Sequence, residues 1–146
     1  MSVELNNRIE TEFEVQQYLS DLKYAIDHNA SLIIQETRNV DINRDQRFTN
    51  RFTLNDLFPD EDPKIALKRE LLTLTVENYL ETVKDLRFPK KSEMRVFSKK
   101  YNLKDDVYIK IRVELLGDYG NGFTYVMSFH YAEECITENM FPYRRK

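Results

Sequence analysis

The sequence predicts an α+β fold in which N-terminal helices pack on a C-terminal antiparallel sheet with one covered face. Three observations carry this. Residues 11–27 place Phe13, Val15, Tyr18, Leu19, Leu22 and Ile26 mostly at three- and four-residue steps, the mark of an amphipathic helix. Residues 106–116 and 123–131 instead alternate with period two, as half-buried strands do. The chain of 146 residues, 41% apolar and 32% charged, suits one domain with one core and argues against wholesale disorder.

The elements follow in order. The helix over 11–27 begins with acidic residues, where the dipole favours them, and stops near His28 and Asn29. Residues 31–36 are short and β-branched and read as a strand. From 38 to 63 the chain is polar and irregular, with one helical turn expected over 54–58. Pro63 opens a second helix running through Leu74, and a short third helix is expected over 76–80. Residues 93–99 form a strand with Met94, Val96 and Ser98 opposite Arg95, Phe97 and Lys99. In 106–116, Val107, Ile109, Ile111, Val113 and Leu115 share one face, and Tyr108, Lys110, Arg112 and Glu114 the other. After the turn GDYGNG, Phe123, Tyr125, Met127, Phe129 and Tyr131 alternate with Thr124, Val126, Ser128 and His130.

Composition removes several classes of function. One cysteine, Cys135, permits no intramolecular disulfide and no cysteine zinc cage. Two histidines make a His-rich metal site an unfavourable expectation, and three glycines leave no phosphate-cradling loop. No cofactor is expected. No run approaches the roughly 20 apolar residues of a membrane span, and no signal-peptide core stands at the N-terminus. A reducing cytoplasm is the expected setting, with no membrane partner.

The net charge of −3 hides an asymmetry. Residues 1–83 carry 9 Lys/Arg and 16 Asp/Glu, whereas 84–112 carry 10 Lys/Arg and 4 Asp/Glu, a local net of +6. Such a block is either a solvated face or a surface that attracts phosphate backbone.

Pairing the two long strands about Tyr119 sets Leu115 against Phe123, Val113 against Tyr125, Ile111 against Met127 and Ile109 against Phe129. The other face then pairs Arg112 with Val126, Lys110 with Ser128, and Tyr108 with His130. Directly opposed Cβ atoms lie about 4.5–5.5 Å apart. Tyrosine, lysine, arginine and histidine are the side chains that cleave RNA without a metal. A base takes the 2′-hydroxyl proton, cations neutralise the charge on phosphorus, and an acid protonates the leaving 5′-oxygen. Histidine serves either role, whereas tyrosine needs a neighbouring cation to act as base. A Tyr–His pair on a sheet face is also a common structural arrangement, and the residues alone leave both readings open.

The succession LKRELLTLTVENYLETVKD (67–85), SEMRVFSKKY (92–101), DVYIKIRV (106–113), VMSFHYAE (126–133) and FPY (141–143) resembles the MqsR-type toxins. These are RelE-like ribonucleases of toxin–antitoxin pairs. The resemblance covers residues 63–143; residues 1–62 match only in layout, a helix and then a strand before a loop. It implies a metal-independent endoribonuclease that cleaves mRNA and is held inactive by a cognate antitoxin. It also implies an active-site role for Tyr108, in the V-Y-[IL]-K motif, and for His130, which stands where better-known members have lysine. Lys84 would correspond to a family lysine after the helical block, and Arg95 to a polar residue that is glutamine elsewhere. Lys90, Lys91, Lys99 and Lys100 are expected either to steer RNA or to serve only as surface charges, and Lys110 and Arg112 either to contact phosphate or to cover the sheet. His28, at a helix end, is assigned no chemistry, and Cys135 is expected to pack. The competing expectation is a non-catalytic module of the same fold that binds RNA or protein.

Overall fold

The computed structural model describes residues 5–28, 31–34, 42–87, 90, 92–114 and 123–145. It is α+β. Among these residues, three helices, α1 (Glu12–Asp27), α2 (Asn50–Leu57) and α3 (Pro63–Leu71), accompany six strands. These are β1 (Leu5–Arg8), β2 (Ser31–Ile34), β3 (Tyr79–Asp85), β4 (Met94–Tyr101), β5 (Asp105–Glu114) and β6 (Phe123–Tyr131), and they form one sheet in the order β1-β3-β4-β5-β6-β2.

The helices start where side chains satisfy their free N–H groups. Thr11 and Glu14 form a reciprocal capping box on α1, worth about 1 kcal/mol. Thr49 caps α2 through Phe52 N–H, and Asp62 caps α3 ahead of Pro63. The inward stripes of the helices (Val15, Leu19 and Leu22; Leu54; Leu67 and Leu71) meet Tyr79, Phe97, Ile109, Ile111 and Phe129 of the sheet in the main core. Each such side chain, fully buried, stabilises the fold by about 1.5–3 kcal/mol.

The expected antiparallel sheet is mixed, because β2 runs parallel to β6. Strand β1 lies at one edge and β2 at the other, with α1 carrying the chain between them. A helical crossover returns the chain in its starting direction, which makes β2 parallel to its neighbour. The polar residues of β1 (LNNR) gave no strand pattern. The helix expected over 76–80 is a 3-10 turn, Val76–Asn78, running into β3. Val76, Tyr79, Leu80 and Val83 are spaced like a helical stripe, but strand alternation buries Tyr79 on one face of the sheet and Leu80 on the other, and a register shift between Tyr79 and Glu81 lets Leu80 and Val83 share that second face.

The second face is also covered. Leu80, Val83, Val96 and Phe141 make a smaller cluster, with Tyr108 and Ile136 packed against it. The chain beyond β6 therefore lies across this face and supplies Ile136 and Phe141. Double coverage explains β4, where the expected contrast between an apolar and a polar side fails: Met94, Val96, Phe97 and Ser98 are all buried. Among the described residues, no helix is long and apolar enough to cross a membrane.

The hairpin register departs from expectation at one place. Val107 to Lys110 pair with Tyr131 to Ser128 as expected, but Ile111 pairs with Val126 and Val113 with Thr124. Met127 is the extra residue of a bulge, which turns the part of β6 before it to the opposite face. Val126 enters the main core, and Tyr125 instead meets Arg112, whose guanidinium lies 5.4 Å from the ring centroid. Leu115 and Tyr119, used in the expected turn, lie outside the described residues.

Candidate active site

Strands β5 and β6 set Tyr108 directly opposite His130. Their rings stack with centroids 5.5 Å apart and planes 27° apart. Lys110, two residues along β5 on the same face, holds its ammonium 5.9 Å from the Tyr108 ring centroid. Beside them lies a cavity of about 390 Å³, bounded by the sheet and the chain after β6. Tyr108, Lys110, Ser128, His130, Arg44 and Glu133 are among the residues that line it. Arg44 pairs with Glu133 at 2.9 Å, joining two walls of the cavity.

The imidazole has a defined orientation. His130 Nδ1 lies 2.9 Å from the backbone oxygen of Tyr131. A carbonyl oxygen only accepts, so Nδ1 carries the proton and, in the neutral ring, Nε2 carries the lone pair. His130 is 6% exposed, and Tyr108 is half-buried. Strand alternation predicts a polar, open face for His130; the chain after β6 is what encloses it.

Two further residues fix β6, and neither stands out in the sequence. Asn50, at the start of α2, donates from Nδ2 to Met127 O at 3.0 Å, and Phe129 N–H donates to Asn50 Oδ1 at 3.0 Å. Tyr131 N–H donates to Thr53 Oγ1 at 2.9 Å. Asn and Thr near a helix start are ordinary capping residues, so only the tertiary position of α2 shows this use.

Arg95 and Lys84 do not join this group. Arg95 pairs in register with Ile111 and so faces the helices, opposite to Tyr108. There it binds Glu10 through Nε at 2.8 Å and lies over the Tyr18 ring at 4.5 Å. Burial raises the Glu10 carboxyl pKa, but hydrogen bonds from Arg95 and Thr82 more than offset this and hold it below its ordinary value. Burial likewise lowers that of Arg95, and its bonds to Glu10 more than reverse the effect. The guanidinium and carboxylate are locked to each other. Lys84 stands two residues from Thr82, the register partner of Arg95, and shares that face. Its charge acts on Glu93.

The other basic residues divide likewise. Lys99 bonds Thr73 Oγ1 at 2.6 Å and faces the helices with Phe97, away from Tyr108. Lys100 pairs with Asp106 at 3.1 Å. Arg112 shares the face of Tyr108 and Lys110, and Lys90 is exposed in the chain between β3 and β4. Lys91 lies outside the described residues. Cys135 is exposed rather than packed. Among the described residues, no three His, Cys, Asp or Glu side chains are grouped to hold a metal ion. No protein-family model, no curated protein and no solved structure matches the chain.

Proposed function

We propose that the protein is a metal-independent endoribonuclease of the MqsR type, a RelE-like toxin that cleaves mRNA in the cytoplasm and is neutralised by a cognate antitoxin protein. The observation that carries the reading is the Tyr108–His130 pair, stacked at 5.5 Å beside a cavity with Lys110 at its wall. The resemblance over residues 63–143 names the same two residues by a separate route.

The chemistry needs only these groups. Neutral His130 takes the 2′-hydroxyl proton at Nε2 as the 2′-oxygen forms its bond to phosphorus. The bond from phosphorus to the 5′-oxygen breaks, and the Tyr108 hydroxyl gives that oxygen its proton. The products are a 2′,3′-cyclic phosphate and a 5′-hydroxyl. Lys110 stabilises the charge on the phosphoryl oxygens and then on the tyrosinate. Proton exchange with water restores both side chains.

A second reading, a non-catalytic RNA- or protein-binding module, is favoured by two observations: His130 is 6% exposed, and the carboxylate of Glu133 shares its cavity. Incubating purified protein with a single-stranded mRNA fragment in excess EDTA separates the two. The ribonuclease reading expects cleavage with cyclic-phosphate ends. Activity lost on chelation and restored by a divalent ion would remove the mechanism, and intact RNA under all conditions would favour the module.

A further inference from the structure

We propose that Asn50 is the positioning residue of the Tyr108–His130 pair: its carboxamide pins the bulge at Met127, and the place of that bulge decides which face His130 occupies. The activity consequence rests on the ribonuclease reading, whereas the geometry stands apart from it.

Strand β6 has unequal neighbours. On one side β5 accompanies it from Phe123 to Tyr131. On the other side, among the described residues, β2 pairs with it as far as Val126. Past that point, α2 takes the place of a strand with side chains. Asn50 binds Met127 O and Phe129 N–H, both at 3.0 Å, and Thr53 binds Tyr131 N–H at 2.9 Å. Asn50 is 1% exposed and Thr53 fully buried, so water does not replace these bonds at no cost. A carboxamide offers a donor and an acceptor on one planar group, which suits it to bridge a C=O and an N–H two residues apart.

Two registers meet at Met127. In the first, Tyr108 opposes His130; in the second, Ile111 opposes Val126 and Val113 opposes Thr124. If the second continued along β6, Tyr108 would oppose Phe129, and His130 would oppose Val107 and face the helices. A bulge displaced along a strand turns each residue it passes to the other face. The segment Met127–Tyr131 contains no glycine or proline to fix such a bulge. Asn50 binds the bulged residue and the residue two further on, a spacing that fits one bulge position. Holding the bulge there keeps Phe129 in the core and His130 against Tyr108.

The test uses the full chain, and its first arm needs no RNA. Imidazole resonances of His130 and their NOEs to the Tyr108 ring are recorded for wild type, Asn50→Ala and Asn50→Asp, with Leu71→Val as a control in the same core whose side chain makes no hydrogen bond to β6. The expected result is loss or doubling of the His130–Tyr108 signals in Asn50→Ala. Weakening is expected in the isosteric Asn50→Asp, which keeps the acceptor for Phe129 but not the donor for Met127; Leu71→Val leaves the signals unchanged. Should Asn50→Ala fail to fold, Asn50→Asp decides. In the second arm, kcat for RNA cleavage falls on the order of 100-fold in Asn50→Ala, the scale of a misplaced catalytic group, while KM moves little. Folded Asn50 variants with wild-type His130–Tyr108 NOEs would overturn the proposal, as would equal changes in Leu71→Val. A wild-type protein that leaves RNA intact, together with NOE loss in Asn50→Ala, would sink the ribonuclease reading and keep this one.

Discussion

Tyr108 and His130 oppose each other across β5 and β6 with their rings stacked at 5.5 Å. The stack separates two contributions of Tyr108, its ring and its hydroxyl. The ring packs against the cluster of Leu80, Val83, Val96 and Phe141. Tyr108→Phe keeps the ring and its packing, so it should lose less stability than Tyr108→Ala. Tyr108→Ala loses the stack, worth about 0.5–1.5 kcal/mol, and its packing besides. Chemical denaturation of the two variants checks the difference.

Lys110 and Lys99 are both basic strand residues, but they face opposite sides of the sheet. Lys110→Ala should therefore lower the salt dependence of RNA binding, by about 0.7 in the log–log slope for one phosphate contact on a single strand. Lys99→Ala should leave the slope unchanged. Equal slopes for wild type and Lys110→Ala in a filter-binding titration would place the RNA elsewhere.

Arg95 should matter for folding and not for chemistry. It is bound to Glu10, which is 3% exposed, on the face away from Tyr108. Breaking such a pair leaves a buried charge, and Arg95→Ala should cost about 3–5 kcal/mol. The cleavage rate per folded molecule should not change. A rate loss with intact stability would return Arg95 to the active site.

The same pair predicts an acid limb. The folded state holds the Glu10 pKa below its ordinary value, so the unfolded chain binds the proton more readily. The carboxylate's contribution is complete above the unfolded pKa, about 4.3, and is lost as pH falls through the folded value. Unfolding free energy measured from pH 6 downward should therefore decline below about pH 4. Glu10→Gln should be less stable at pH 6 and show a flatter decline. An identical slope in both proteins would contradict the assignment.

The β4–β5 turn stores strain at an exposed site. Leu103 has φ 66° and is 96% exposed. A side chain in the left-handed region costs roughly 1–2 kcal/mol, which glycine avoids while losing more entropy on folding. Leu103→Gly should raise stability by about 0.5–1 kcal/mol, read as an increased denaturant midpoint.

Local pattern revealed the elements whose two sides differ. The apolar spacing of α1 and the alternation of β5 were legible because one side of each meets the core. From β5 and β6 alone, the facing of Tyr108 and His130 followed. Strands buried on both sides were harder, since Leu80 and Val96 pack beneath Ile136 and Phe141, and the sequence does not say that the chain returns across that face. Met127 carries no mark of a bulge, because the bonds that fix it come from Asn50, 77 positions away. The resemblance groups Arg95 with Tyr108, whereas strand parity separates them.

The most direct measurement is the initial rate of cleavage of one defined single-stranded RNA in EDTA by wild type, Tyr108→Phe and His130→Gln, with melting temperatures from the same preparations. His130→Gln is chosen over alanine because the site is buried and glutamine fills more of it. Each general acid or base contributes about 10²–10⁴-fold, so both variants should melt as folded proteins and cut more slowly by that order. Their double variant should lose less than the product of the two. Folded variants that cut RNA at the wild-type rate would contradict the account.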